Sequence, residues 1–269
     1  MEVLISRFIT DEDMDLCYFM GTDMQVAFFK RKDFLVFNHA KFFRRLVDHN
    51  IRIKSVHAPA TDVYHQANNE FMTTLKTIRD TYKVKVITLH PQRGEKQQAK
   101  SYYRRLEEEI KEMGIILAYE TFEEEAVNNK WISQLEEMHR YFDILNLSFL
   151  GITYDFTHAT FEKCIDEVSS YNEKIKVIHL SDALRGKPLD MNEYHQHLPL
   201  GYGDYRITEF VDLLKAINYR NFIVLEYHPE YDHLLKGDAE ALMKYINGDK
   251  TSLLELMEAR RKNKKSVDI

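Results

Sequence analysis

The sequence predicts a single (β/α)8 barrel, and three observations predict it. Eight short apolar runs alternate with longer amphipathic runs. No long Pro/Gly/Ser linker interrupts the 269 residues. Barrels of this class run to about 250 residues as one domain. Strands alternating with helices imply parallel pairing through crossover helices. Eight such units in this length fit a closed barrel better than an open doubly wound sheet.

The apolar runs lie at 2–7 (EVLISR), 24–29 (MQVAFF), 51–57 (IRIKSVH), 84–90 (VKVITLH), 115–120 (IILAYE), 150–155 (LGITYD), 175–181 (IKVIHLS) and 221–226 (NFIVLE). Most are rich in Val, Ile and Leu, as strands buried on both faces should be. Between them, 66–81, 95–113, 128–141, 160–171, 207–218 and 238–247 repeat apolar positions at helical spacing. Gly114 follows the second helix, where a C-cap glycine belongs. Thr208 is a start signal for 207–218. A last helix, about 251–264, is appended to the domain that spans 1–269. Its basic run Arg260, Arg261, Lys262, Lys264 and Lys265 suits the negative end of a helix dipole. Trp131 and Phe34, Phe37, Phe42 and Phe43 read as core. His39, His49, His65, His139 and His233 fall in or beside helices and carry no motif.

Composition excludes several classes. The chain is 44% hydrophobic and 30% charged, too apolar for disorder and too charged for a membrane protein. No window approaches 18 uncharged apolar residues, so no membrane span is expected. With 37 Lys+Arg against 43 Asp+Glu, the net charge is −6, which argues against a dedicated nucleic-acid binder. The N-terminus lacks a signal-peptide pattern. Cys17 and Cys164 make no disulfide framework, and both are expected as buried apolar residues in helical segments. A cytoplasmic location follows from these two readings.

The chemistry lies at the strand ends. His57, His90, Glu120, Asp155 and Glu226 each close an apolar run, and His179 lies within the seventh. In a barrel those ends line one mouth, so residues distant in sequence converge. Each alone reads as an ordinary strand-end residue. Together they would crowd a low-dielectric mouth with carboxylates, which a divalent cation would neutralise. His158 follows Asp155 by three residues, and His195-Gln196-His197 precedes Gly201-Tyr202-Gly203. Mixed His and carboxylate donors suit Zn²⁺, Mn²⁺, Fe²⁺ or Co²⁺ better than Ca²⁺ or Mg²⁺.

Seven motifs, in order, resemble the xylose-isomerase-like TIM-barrel superfamily: SVHAP (55–59), ITLHP (87–91), LAYET (117–121), ITYDFTHA (152–159), VIHLSDA (177–183), HLPLGYGD (197–204) and IVLEYHP (223–229). That superfamily joins sugar and sugar-phosphate isomerases and epimerases with endonuclease IV-type apurinic-site endonucleases. The resemblance to the isomerases implies one divalent metal, Mn²⁺ or Zn²⁺ with Co²⁺ or Fe²⁺ as alternatives, held by Glu120, Asp155, His179 and Glu226. It implies Glu120 and Glu226 as acid and base around an enediolate. His158 would polarise a substrate oxygen, and Arg185 would grip a hydroxyl or carbonyl. His57, His90 and His197 would face the substrate, a small sugar or polyol ketone.

The resemblance to the nucleases implies three zinc ions on nine ligands. Eight are present by type: His57, His90, Glu120, Asp155, His158, His179, His197 and Glu226. His195 stands at the ninth, where aspartate is usual. Against the nuclease stand Ala60, where a DNA-probing aromatic is usual, the acidic stretch TFEEEA (121–126), and the net charge. Departures from the epimerases are the second strand (MQVAFF), which lacks the glutamate often found there and has Gln25 nearby, and the delayed glycine of HPQRG (90–94). A third class, a barrel that binds without catalysis, would be expected to have lost a ligand. Arg93 and Lys96 could hold a substrate phosphate or simply solvate a helix start. Tyr202, Tyr205, Tyr227 and His228 could flank a sugar pocket, with rim packing favoured for Tyr205. Barrels of this superfamily often pair, which allows a homodimer.

Overall fold

A computed structural model of the chain describes residues 1–10, 14–28, 31–59, 69–90, 107–121, 138, 148–159, 161–184 and 196–267. All eight apolar runs become strands: β1 (Glu2–Phe8), β2 (Asp23–Ala27), β3 (Arg52–His57), β4 (Val86–Leu89), β5 (Ile116–Glu120), β6 (Leu150–Asp155), β7 (Ile175–Leu180) and β8 (Phe222–Leu225). They pair in parallel in chain order, and β1 joins β8 to close the barrel. The expected fold is therefore the one observed.

Helices cover the outside. They are α1 (Arg31–Val36), α2 (His39–Asp48), α3 (Asn69–Tyr82), α4 (Phe161–Tyr171), α5 (Ile207–Ala216), α6 (Asp232–Ile246) and α7 (Thr251–Val267); residues 107–113 are also helical. Asn38 caps α2 through its side-chain oxygen, which accepts from Lys41 N at 2.9 Å. α6 begins six residues before its apolar pattern does. α5 starts at Ile207, with no side-chain cap at Arg206. No helix among the described residues is long and apolar enough to cross a membrane.

Two core expectations fail. Phe34 and Phe42 are buried and Phe37 packs against the core, but Phe43 is exposed. One helical step of about 100° from Phe42 turns Phe43 outward. Cys164 is buried in α4, whereas Cys17 is exposed. The single turn Cys17–Phe19 buries Phe19 instead. His39, by contrast, is more than a featureless helix residue. It is buried, and its Nδ1 lies 3.1 Å from the Tyr82 hydroxyl.

The interior follows strand periodicity. Leu4, Val86, Ala118, Val177 and Val224 form one buried cluster. Two positions further along each strand a side chain returns to the same face. Those positions hold Ser6, Thr88, Glu120, His179 and Glu226, all buried. The apolar plug thus gives way to a polar layer at the C-terminal mouth.

α7 is joined to that mouth. Leu253 and Met257 are buried. Arg260 pairs bidentately with Asp238 of α6, at 2.7 and 2.8 Å, and donates to Leu200 O at 2.8 Å. Tyr227 donates to the same Asp238 at 2.7 Å. Gly201, at φ +89°, lies against α7 so closely that a Cβ would sit 2.7 Å from Met257 Cα.

Candidate active site

His179 stands at the centre of the mouth. Its Nδ1 lies 2.6 Å from Glu120 Oε1, 2.7 Å from Glu226 Oε2 and 3.9 Å from Asp155 Oδ2. His57 Nε2 lies 3.1 Å from Glu120 Oε2, and His90 Nδ1 is 3.4 Å from the same oxygen. The His57 and His90 rings are 4.8 Å apart. All four of Glu120, Asp155, His179 and Glu226 are buried, and their donor atoms lie within 4.8 Å of one another.

Local sequence aims these groups. Asp155 Oδ1 accepts from both Thr157 N and Thr157 Oγ1 at 2.8 Å. Its other oxygen, Oδ2, is buried with no hydrogen-bond partner. His158 Nδ1 lies 2.7 Å from Thr121 O, which can only accept. That bond keeps the ring proton on Nδ1 and leaves Nε2, 3.8 Å from Asp155 Oδ2, able to take a cation. His197, at φ 53°, closes the cluster with an unpartnered buried Nδ1, its ring 5.8 Å from that of His158.

Donor atoms converge in two further groups, His57–His90–Glu120 and Asp155–His158–His197, which share Glu120 and Asp155 with the first. Unpartnered carboxylate oxygen, buried imidazoles and close spacing together fit a divalent cation. Glu120, Asp155, His179 and Glu226 would hold it.

Burial opposes charge on Glu120, Glu226 and His179, but their partners prevail. His57 and His179 hold the Glu120 carboxyl well below the usual range. His179, and then His57, bring Glu226 down to about 2. Glu226 and Glu120 in turn raise His179 well above an ordinary imidazole. At His90 burial wins, and its pKa falls to about 4.

These directions fix a pH dependence. A depressed carboxylate contributes stability that is present above its unfolded value, 4.5, and lost as the pH falls through its folded value. A raised imidazole contributes stability that is full below 6.5 and lost as the pH rises through its folded value. His90, depressed to about 4, costs stability as the pH falls below 6.5, so metal-free protein is expected to melt highest near pH 6.5. Thermal melts across pH 3 to 10, with chelator present, check this; a midpoint that climbs steadily through the alkaline range would contradict it.

Two contacts of the site were not read from the sequence. Gln25 of β2 reaches across the barrel, its Nε2 2.8 Å from His179 Nε2; a polar residue in phase inside an apolar run was its only signal. Asp182 accepts from Ala183 N, Gly201 N and Tyr205 N at 2.9 to 3.0 Å, anchoring the loop that carries His197. Tyr227 is buried and donates its hydroxyl to Asp238 at 2.7 Å. Tyr205 is buried and donates to Ala159 O at 2.8 Å, in keeping with packing. Tyr202 lies under the Arg260 guanidinium, 5.3 Å from its ring centre. His228 is half-buried. Arg185, His195, Arg93, Lys96, Ala60, Trp131, His65, His139 and the acidic residues 122–126 lie outside the described residues.

No curated protein matches the chain in sequence. In fold it is similar to a probable 3-DHS dehydratase from Bacillus anthracis, at 15% identity over 90% of this chain and 99% of that one, TM-score 0.66. It is similar to a D-allulose 3-epimerase from Methylomonas sp., at 16% identity over 91% and 98%, TM-score 0.64. It is also similar to a 3-keto-D-glucoside 4-epimerase from E. coli, at 12% identity over 92% and 99%, TM-score 0.62. At these identities the likeness is one of fold. The xylose isomerase-like TIM barrel family matches residues 18–246, the seven strand-end motifs among them. With that match added to the closed barrel and its ring of His, Glu and Asp, the chain belongs to the xylose isomerase-like TIM barrel family.

Proposed function

We propose that the protein is a divalent-metal-dependent isomerase or epimerase of a small sugar or sugar phosphate. The observation that carries this reading is the pair of buried glutamates, from β5 and from the end of β8, converging within 2.7 Å of one imidazole nitrogen. When bound, a divalent ion would supply Lewis-acid stabilisation to adjacent substrate oxygens. The chain supplies the proton traffic. One glutamate removes the proton α to the substrate carbonyl, giving an enediolate, and the other returns a proton. Protonated at both ring nitrogens, His158 would donate from the Nε2 that faces the cluster and so polarise a substrate oxygen. Arg185 is the candidate to grip a hydroxyl or carbonyl.

The three groups of donors favour a second reading, an apurinic-site endonuclease with three zinc ions. The net charge of −6 and the acidic run after Glu120 oppose it. One experiment separates the two. Protein loaded with Mn²⁺, Zn²⁺, Co²⁺ or Fe²⁺ is assayed on a ketose and aldose panel and on abasic duplex DNA, with chelator controls and metal counted by mass spectrometry. Ketose turnover with one ion per chain is expected. Nicking with three ions per chain would replace the first reading by the second.

A further inference from the structure

Gln25 is placed to control which atom of His179 faces a cation. Its side chain and that of His179 are both buried. The two Nε2 atoms lie 2.8 Å apart, while Gln25 Oε1 is buried with no partner. An amide nitrogen only donates, so this pairing requires a bare ring Nε2 and a proton on Nδ1. Nδ1, however, is the atom surrounded by Glu120, Glu226 and Asp155. A cation cannot share that nitrogen with a proton. A ring that offers Nδ1 to a cation carries its proton on Nε2, and a buried N–H there needs an acceptor.

Rotation of the Gln25 amide by half a turn supplies the acceptor, because amide oxygen and nitrogen exchange places. The displaced amide nitrogen then needs an acceptor of its own. Ser6, the register partner of Gln25 on β1, has a buried hydroxyl that also lacks a partner. His158 follows the same logic in its settled form: a carbonyl at one ring nitrogen frees the other for the cluster.

We infer that Gln25 is a positioning residue, presenting Oε1 to His179 Nε2–H and so holding Nδ1 as the ligand atom. The inference rests on the metal-site reading above. It makes a polar residue of the second strand part of the machinery of the seventh.

The test uses full-length protein, with Gln25→Met removing the acceptor at similar length and Gln25→Glu keeping it. Zn²⁺ and Mn²⁺ affinities are measured by competition with a chromophoric chelator, and circular dichroism confirms folding. Gln25→Met is expected to weaken binding by about 10–100-fold, with Gln25→Glu close to wild type. Wild-type affinity in Gln25→Met, or equal losses in both variants, would overturn the inference. Nitrogen-15 spectra of the histidines in metal-free protein read the pair without any metal. Where the ring carries a single proton, it is expected on Nε2 in the wild type and on Nδ1 in Gln25→Met; a wild-type proton on Nδ1, or the same tautomer in both, overturns the inference. Wild-type protein that binds no metal would defeat the metal-site reading instead, and the spectra would still decide the role of Gln25.

Discussion

Glu120→Gln and Glu226→Gln should each cut turnover by about 10²–10⁴-fold while leaving the barrel folded, the range for loss of a positioned acid or base. The exchange keeps shape and removes charge, so the loss is chemical rather than one of packing. Glu120 should be the more damaging position for metal content. Its two oxygens face three imidazoles, those of His57, His90 and His179. Glu226 serves His179 closely and His57 only at 3.9 Å. Steady-state kinetics on the best substrate, with metal content measured in parallel, check both statements. Near-normal turnover in either fully loaded variant would end the two-glutamate mechanism.

Arg260→Met should destabilise the protein by about 3–5 kcal/mol, the cost of stranding one partner of a buried ion pair. Asp238 is 1% exposed in its side chain and Arg260 13%. Removing the guanidinium leaves Tyr227 donating to Asp238. The double variant Asp238→Leu/Arg260→Met removes both charges and should recover much of that loss. Urea unfolding of the wild type, both single variants and the double variant gives the coupling directly. A cost under about 1 kcal/mol for Arg260→Met would show the pair behaving as a surface bridge.

The sequence disclosed the barrel because its strands obey two simple rules. They are short and mostly apolar, and six of the eight end in or near an ionisable residue. Glu120, Asp155, His179 and Glu226 were legible for that reason, since each sits in phase with a buried aliphatic two positions earlier or closes a strand. His57, His90, His158 and His197 also fall at the mouth as expected. What stayed hidden depends on contacts that span the fold. The bond from Gln25 to His179 joins residues 154 positions apart. Arg260 looked like one cation in a solvated basic tail, and only the packing of α7 onto α6 shows its partner. Cys17 and Phe43 failed for a local reason: hydrophobicity names the residues suited to a core, whereas the helical step decides which of two neighbours reaches it.

The four central donors come from β5 through β8, consecutive strands of one half of the barrel, whereas Gln25 and His57 come from β2 and β3. During folding, local strand pairing can therefore gather three carboxylates before the ring is complete. The closing seam, Glu2 against Phe222, joins segments from opposite ends of the barrel sequence and carries a large loop-closure entropy. Until it forms, β1 and β2 have not been brought alongside β8 and β7, and their side chains cannot yet bear on His179. Closing the ring is thus what lets Gln25 bear on His179.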